Sequence, residues 1–116
     1  MQIARRVAPS IDGTPAKRSF YSASVREFLE DETAAIVGRL ASKHVSFHGA
    51  AEAEQIRAWE REIELLRIAF TEIGTTARDW TILIEVPLLR LGKRLDVVLL
   101  APGIVALIEF KIGAMR

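Results

Sequence analysis

The chain has 116 residues, of which 50% are hydrophobic and 27% are charged, a balance typical of one small folded domain and not of a disordered segment. Its 16 Lys and Arg offset 15 Asp and Glu, so a net charge of +1 indicates no general affinity for nucleic acid, and any basic patch must be local. The lack of Cys excludes disulfides and cysteine-ligated zinc. No run reaches the roughly 18 apolar residues of a membrane span, and the first residues lack the apolar stretch of a signal peptide, so we expect a cytoplasmic protein with no membrane partner.

The first part of the chain, residues 1–20, combines basic side chains with Pro and Gly and shows no apolar period. This composition predicts a flexible basic arm, whose charges are either solvated or in contact with nucleic acid. Residues 21–116 then form the folded domain.

The next segment, residues 22–43, predicts a helix that begins with a capping box formed by Ser24 and Glu27. An acidic stretch at residues 30–32 interrupts the apolar stripe of this helix. The segment is therefore either one helix or two, with the second helix capped by Thr33.

A loop is predicted over residues 44–50, and residues 51–73 are the clearest helix, because apolar side chains recur there at steps of three and four. Gly74 is typical of a helix end. Gln55 and Glu62 are seven apart and lie at the edge of the apolar face. At such an edge Glu62 is expected to carry its carboxylate to water.

Three β-branched, apolar segments follow at residues 80–86, 94–100 and 104–111, and their short connections predict an antiparallel meander. Helices followed by a meander indicate an α+β fold. The last two strands are apolar on both faces, and the helix at 51–73 covers one face only. Because no further element follows before Arg116, we expect a core that is incomplete at its C-terminal end and a chain that self-associates.

Three charged side chains, Asp96, Glu109 and Lys111, interrupt these two apolar strands. An unpaired charge in a core costs several kcal/mol, so such charges are kept where they pair, bind a metal or do chemistry. Glu109 and Lys111 share a strand face because side chains alternate. Asp96 joins that face only in the register that pairs Leu100 with Val105, and a shift of one residue would separate the carboxylates.

In that register Asp96 and Glu109 would bind one Mg²⁺ or Mn²⁺, which needs few protein ligands because it keeps several waters. The ion would polarise a phosphate and activate water. Lys111 would orient that water or stabilise the developing charge, and Glu62 would add an outer ligand from the helix. The alternative is an ion pair within a sheet that has no chemical role.

Arg90, Lys93 and Arg94 form the best local basic cluster. They either bind phosphate at the mouth of the site or form a solvated turn. Glu85 is also flanked by apolar residues, but because Pro87 follows it, the sequence predicts an exposed carboxylate at a strand end.

The spacing of Asp96, Glu109 and Lys111 resembles the active-site signature of the PD-(D/E)XK nuclease superfamily. The resemblance extends to the N-terminal domain of bacterial proteins in which a nuclease-like domain precedes a Schlafen-like, P-loop ATPase or helicase module. It is carried by the residues 21–29, 55–63, 87–100 and 108–113.

This resemblance implies a restriction-endonuclease-like fold with Asp96, Glu109 and Lys111 at the catalytic positions and Mg²⁺ as cofactor. It implies nucleic acid as substrate, DNA ahead of RNA, and an ATPase or helicase module as a partner. The other partner expected, from the exposed apolar strands, is a second copy of the chain in a homodimer. The elements that such domains carry after Lys111 are absent from this sequence. The alternative function is therefore that of an inactive nuclease-fold remnant that acts as a binding or oligomerisation module.

Overall fold

The protein combines a sheet with helices, as a computed structural model describes it over residues 2–7, 18–49, 51–88 and 90–111. The α+β class expected from the sequence is confirmed. In chain order the elements are β1 (Gln2–Val7), β2 (Tyr21–Ser24), α1 (Val25–Glu30), α2 (Thr33–His48), α3 (Ala53–Ile73), a 3₁₀ turn (Gly74–Ala77), β3 (Thr81–Leu88), β4 (Lys93–Ala101) and β5 (Ile104–Glu109).

The predicted meander forms the centre of an antiparallel sheet with strand order β1-β5-β4-β3-β2. Leu100 pairs with Val105, so the register that places Asp96 and Glu109 at opposed positions is confirmed. The pairing continues to Ala101 and Ile104, and the connection is therefore the two-residue turn Pro102-Gly103. Gly103 has φ +73°, which fits the third position of a type II turn after a proline.

The flexible arm predicted for residues 1–20 differs from the structure where the structure describes it. Gln2–Val7 form β1, which pairs with β5 along its whole length. Sequence periodicity over six residues is too weak to reveal a strand whose partner lies about a hundred positions away, because the pairing itself supplies the backbone hydrogen bonds. Residues 8–17 lie outside the described residues.

The first predicted helix starts later than the sequence indicated. Residues 22–24 belong to β2, because they pair with β3, and the helix starts at Val25. The capping box is confirmed: Ser24 Oγ accepts from the Glu27 amide, and Glu27 Oε1 accepts from the Ser24 amide. Of the two alternatives, the split into two helices is the correct one.

Thr33 is the first residue of α2 and does not cap it, because Glu32 occupies the N-cap position. The loop predicted at 44–50 is wrong as far as His48, where α2 ends. Gly49, with φ +87°, terminates the helix, which therefore ends several residues later than the polar composition suggested.

The main core lies between the helices and one face of the sheet. As predicted, Trp59, Ile63 and Leu66 of α3 are buried in it, together with Ile84 of β3 and Val97 of β4. Every buried helix residue among the described clusters belongs to this core. The 51–73 helix prediction and its apolar face are therefore confirmed.

The opposite sheet face carries a second, smaller cluster built from Leu83, Val86 and Val98. Other apolar side chains pack against it and stay partly exposed: Leu95, Leu100, Val105 and Leu107. None of the described helices contributes to this cluster. The sequence correctly placed apolar residues on both faces.

Regular side-chain alternation breaks at Glu85. Ile84 packs in the main core whereas Val86 packs in the second cluster, although residues two apart on a strand ordinarily share a face. On β4 the same change separates Val97 from Leu95. Glu85 has φ +59°, a left-handed conformation that non-glycine residues rarely adopt. The irregularity turns the Glu85 side chain toward α3.

Candidate functional site

Asp96 lies on β4, at the level of the irregularity on β3. Its carboxylate Oδ2 accepts a hydrogen bond from the Phe110 amide at 2.9 Å. The ladder between β4 and β5 pairs Val97 with Ile108 and goes no further. Asp96 thus takes the amide that the next rung would have used, which explains why β5 ends at Glu109 and not at Lys111.

Glu109 and Lys111 stand at this strand end and not within an apolar strand. Their side chains are 59% and 60% exposed, and Lys111 Nζ lies 3.8 Å from Glu109 Oε2. The expectation that these two charges are embedded in the core is wrong, because the strand has already ended beside them. Because both side chains are more than half exposed, their ion pair contributes little stability, and both groups are accessible to a ligand.

One cavity brings the two predicted metal ligands together. Asp96 and Glu109 both line a cavity of about 270 Å³ at this end of β4 and β5. Lys93 and Arg94 line the same cavity, with apolar walls from Leu88, Leu95, Leu107 and Ile108. Carboxylates and cations therefore meet in one concave space, while Arg90 lies outside it.

Glu62 projects from α3 into the core. It follows Trp59 by three positions and precedes Leu66 by four, which places it within the buried face of the helix and not at the edge. The residue is only 8% exposed, so the expectation of a carboxylate that reaches water is wrong. Burial and the nearby charges of Asp96 and Glu85 raise the pKa of Glu62 to about 8, and Arg94 opposes this shift.

Glu85 is the residue that the sequence interpretation missed. It is 3% exposed and not an exposed strand-end carboxylate, because the left-handed backbone directs it under α3. Trp59 Nε1 donates to Glu85 Oε2 at 3.3 Å, and Arg94 Nε lies 3.0 Å from Glu85 Oε1. Burial raises the pKa of Glu85, while Arg94 and the Trp59 hydrogen bond act in the opposite direction.

The buried groups are not fully satisfied. Three buried side-chain atoms lack a hydrogen-bond partner among the described residues: Glu62 Oε1, Glu85 Oε1 and Arg94 Nη1. The Glu85–Arg94 contact is thus an ion pair whose angles do not make a hydrogen bond. Unpaired buried polar atoms cost free energy and are rare in native proteins, and they concentrate where a ligand, ion or water completes the site.

Three or more His, Cys, Asp or Glu side chains do not converge into a ready-made metal site anywhere in the described part of the chain. Any ion held here would take two protein carboxylates and complete its shell with water or phosphate, as Mg²⁺ commonly does. Of the helices that the structure describes, none has the length and apolar character needed to cross a membrane.

Comparison with known proteins gives no relative: no family model, no curated protein and no solved structure matches this chain.

Proposed function

We propose that this chain carries a metal-dependent nuclease site of the PD-(D/E)XK kind, on a restriction-endonuclease-like core, which hydrolyses phosphodiesters of nucleic acid. The observation that supports it most directly is the shared cavity of Asp96 and Glu109, with Lys93 and Arg94 on its wall. A phosphodiester needs this combination, because carboxylates hold a cation while Lys and Arg bind the phosphate oxygens.

The residues present fit a hard divalent cation. Asp96 and Glu109 supply two oxygen ligands that line one cavity. Glu62 is not among the described residues that line it, so its role as an outer ligand stays a prediction. A bound Mg²⁺ would polarise the phosphate and lower the pKa of an attacking water.

The remaining steps belong to the chain's own side chains. Lys111 contacts Glu109 and is not among the described residues that line the cavity; in this proposal it would orient the water and neutralise charge that develops on the phosphate. Arg94 is among the residues that line the cavity, and Glu85 holds its Nε, so it would bind a phosphate oxygen with little loss of side-chain entropy. Lys93 adds a second, more mobile cation.

The test is Mg²⁺-dependent cleavage of mixed single-stranded and duplex DNA and RNA. We expect Asp96→Asn and Lys111→Ala each to lower the cleavage rate by about 100-fold or more, the usual loss when one group that stabilises the transition state is removed. The matched control is Asp79→Asn, since Asp79 is a 92% exposed carboxylate paired with Arg26 and distant from the cavity.

All variants are purified in parallel, so that a contaminating nuclease would show itself as equal activity in every preparation. Equal cleavage by wild type, Asp96→Asn and Lys111→Ala would end the proposal. Calorimetric titration with Mg²⁺ and Mn²⁺ gives a second readout, in which Asp96→Asn is expected to bind more weakly than Asp79→Asn.

A second candidate is a binding or oligomerisation module without catalysis. The second sheet face favours it, because Leu95, Leu100, Val105 and Leu107 remain partly exposed there. An apolar sheet face that becomes covered gains about 25 cal/mol for each Å² removed from water. Light scattering over a range of concentrations tests this candidate: self-association supports it, and a strict monomer counts against it.

A further inference from the structure

The turn between β3 and β4 presents an aliphatic side chain to solvent. Leu91 is 68% exposed at its tip, where the Leu91 amide donates to the Leu88 carbonyl at 3.0 Å and Gly92 takes φ +64°. This hydrogen bond and the left-handed glycine define the turn, so Leu91 is held outward by the backbone. Single exposed leucines are common, and this one acquires meaning from the cavity beside it.

That cavity is separate from the one that holds the carboxylates. It has a volume of about 610 Å³ and is lined by Arg18, Pro87, Leu88, Arg90 and Leu91. Its size lies within the usual range for small-ligand sites, roughly 300–1,000 Å³. Three lining residues are apolar and two are guanidinium groups, and no carboxylate is among the described residues that line it.

The two cavities are neighbours. Leu88 lines both of them, and Arg90 and Lys93 stand on either side of the turn that separates them. A polyanionic strand that crosses this turn would meet cations continuously, from Arg18 and Arg90 to Lys93 and Arg94. The charge pattern favours an anionic polymer, and the apolar floor favours one with flat, weakly hydrated faces.

We propose that the larger cavity holds one unstacked nucleotide of the strand whose next phosphate lies at Asp96 and Glu109. Arg18 and Arg90 bind the flanking phosphates, and Leu91 contacts the base, as aliphatic side chains do where they separate stacked bases. A base can reach this floor only when it has left its stack, so the substrate class is single-stranded or locally unpaired nucleic acid. The inference rests on the proposed function and names its substrate.

The experiment is fluorescence anisotropy with a labelled oligothymidylate and with a blunt hairpin duplex of the same length, in EDTA so that no cleavage occurs. The variants are Leu91→Ser, Arg18→Ala and Arg90→Ala. The matched controls are Ile68→Ser, which removes a 54% exposed aliphatic side chain from α3, and Arg57→Ala, which removes an exposed cation from the same helix.

We expect wild type to bind the single strand more tightly than the duplex. Arg18→Ala and Arg90→Ala should each weaken single-strand binding by about five- to tenfold and lower the salt dependence by about one phosphate contact. Leu91→Ser should weaken single-strand binding to a similar degree with the salt dependence unchanged. Both control variants should bind within about twofold of wild type.

The inference would be overturned if neither oligonucleotide bound, or if the duplex bound more tightly than the single strand. It would also be overturned if Leu91→Ser and Arg18→Ala bound as the controls do. Displacement of the strand by polyglutamate as effectively as by unlabelled oligothymidylate would identify a general anion surface and would overturn it too. Cleavage by wild type together with cavity variants that bind normally would sink this inference and leave the nuclease proposal standing. Binding that depends on the cavity without any metal-dependent cleavage would do the reverse.

Discussion

The two halves of the candidate site differ in what holds them in place. Glu62 of α3 and Glu85 of β3 are buried between that helix and the sheet, with exposed fractions of 8% and 3%. Glu109 and Lys111 stand at a strand end with well over half of each side chain in solvent. The buried half is fixed by packing and, at Glu85, by contacts with Trp59 and Arg94. The exposed half is fixed only by where β5 stops.

The two halves therefore differ in their effect on stability and in their availability to a ligand. Buried charges that lack complete partners lower the stability of the empty chain, while exposed charges leave stability almost unchanged and remain open to a ligand. Asp96 joins the two halves, since its carboxylate binds a backbone amide and also lines the cavity. Substitutions in the two halves should therefore separate effects on folding from effects on binding.

The largest effect is expected from the pH dependence that Glu62 imposes. Its pKa is about 8 in the folded chain and close to its ordinary value of 4.5 when unfolded. Between these values the folded chain binds the extra proton, so the free energy of unfolding falls as pH rises, by up to about 1.4 kcal/mol per pH unit. This stabilisation is complete below pH 4.5 and lost above pH 8.

Glu62→Gln removes this dependence. In urea unfolding at several pH values, the free energy of unfolding of the variant should rise relative to that of wild type by on the order of 3 kcal/mol between about pH 5 and pH 8. Titrating groups that do not interact with Glu62 cancel in the difference between the two proteins, whereas the neighbouring charges of Asp96, Glu85 and Arg94 contribute to it. If the stability of both proteins changed with pH in parallel, Glu62 would be solvated and not buried.

Glu85→Ala should cost about 2–3 kcal/mol, because it leaves the Trp59 indole N–H without its acceptor and Arg94 without its counter-charge. The matched variant is Glu85→Gly, which adopts φ +59° without strain and should be more stable than Glu85→Ala by about 1 kcal/mol. Within a regular strand alanine would be the better residue, so the reverse order, with alanine ahead, would refute the left-handed backbone. Thermal melts are sufficient.

Asp96→Ala should lose about 1–2 kcal/mol, since the Phe110 amide then lacks a charge-assisted acceptor. Asp96→Asn keeps an acceptor oxygen and should retain most of that stability while still weakening Mg²⁺ binding. Hydrogen exchange gives a local check: the Phe110 amide should exchange faster in the alanine variant than in wild type. Unchanged exchange would remove Asp96 from the end of β5.

The smallest effect on stability is expected at Glu109. Glu109→Gln should change the free energy of unfolding by no more than about 0.5 kcal/mol, because its ion pair with Lys111 is 3.8 Å long and solvated. The same substitution should weaken Mg²⁺ binding by about tenfold or more, the scale of loss found when groups around a metal are replaced. A large stability loss with unchanged metal binding would invert the comparison between the two halves.

The sequence predicted those features that depend on local periodicity. Helix α3 and the meander followed from apolar spacing, and the register that opposes Asp96 and Glu109 agrees with the structure because a tight turn and two buried faces leave few alternatives. The edge strand β1 was missed, since its pairing with β5 spans nearly the whole chain.

The burial of individual carboxylates could not be predicted in the same way. Whether Glu85 reaches water depends on the Trp59 side chain, which comes from another element and lies over it, and on a backbone conformation that residue type disfavours. One signal was available: Glu85 interrupts an apolar run as Asp96 does, and a charge within such a run is costly at either position unless it is paired or used. The proline at position 87 wrongly outweighed it.

Trp59 gives the protein a built-in optical reporter. Its indole is fully buried, donates to Glu85, and lies one helical turn before Glu62, so we expect its emission to respond to the charge of both carboxylates. The chain has only one other tryptophan, Trp80, so a Trp80→Phe background isolates the Trp59 signal. Because Glu85 also pairs with Arg94, which lines the cavity of Asp96 and Glu109, we expect ligand binding there to change the Trp59 emission of unlabelled protein.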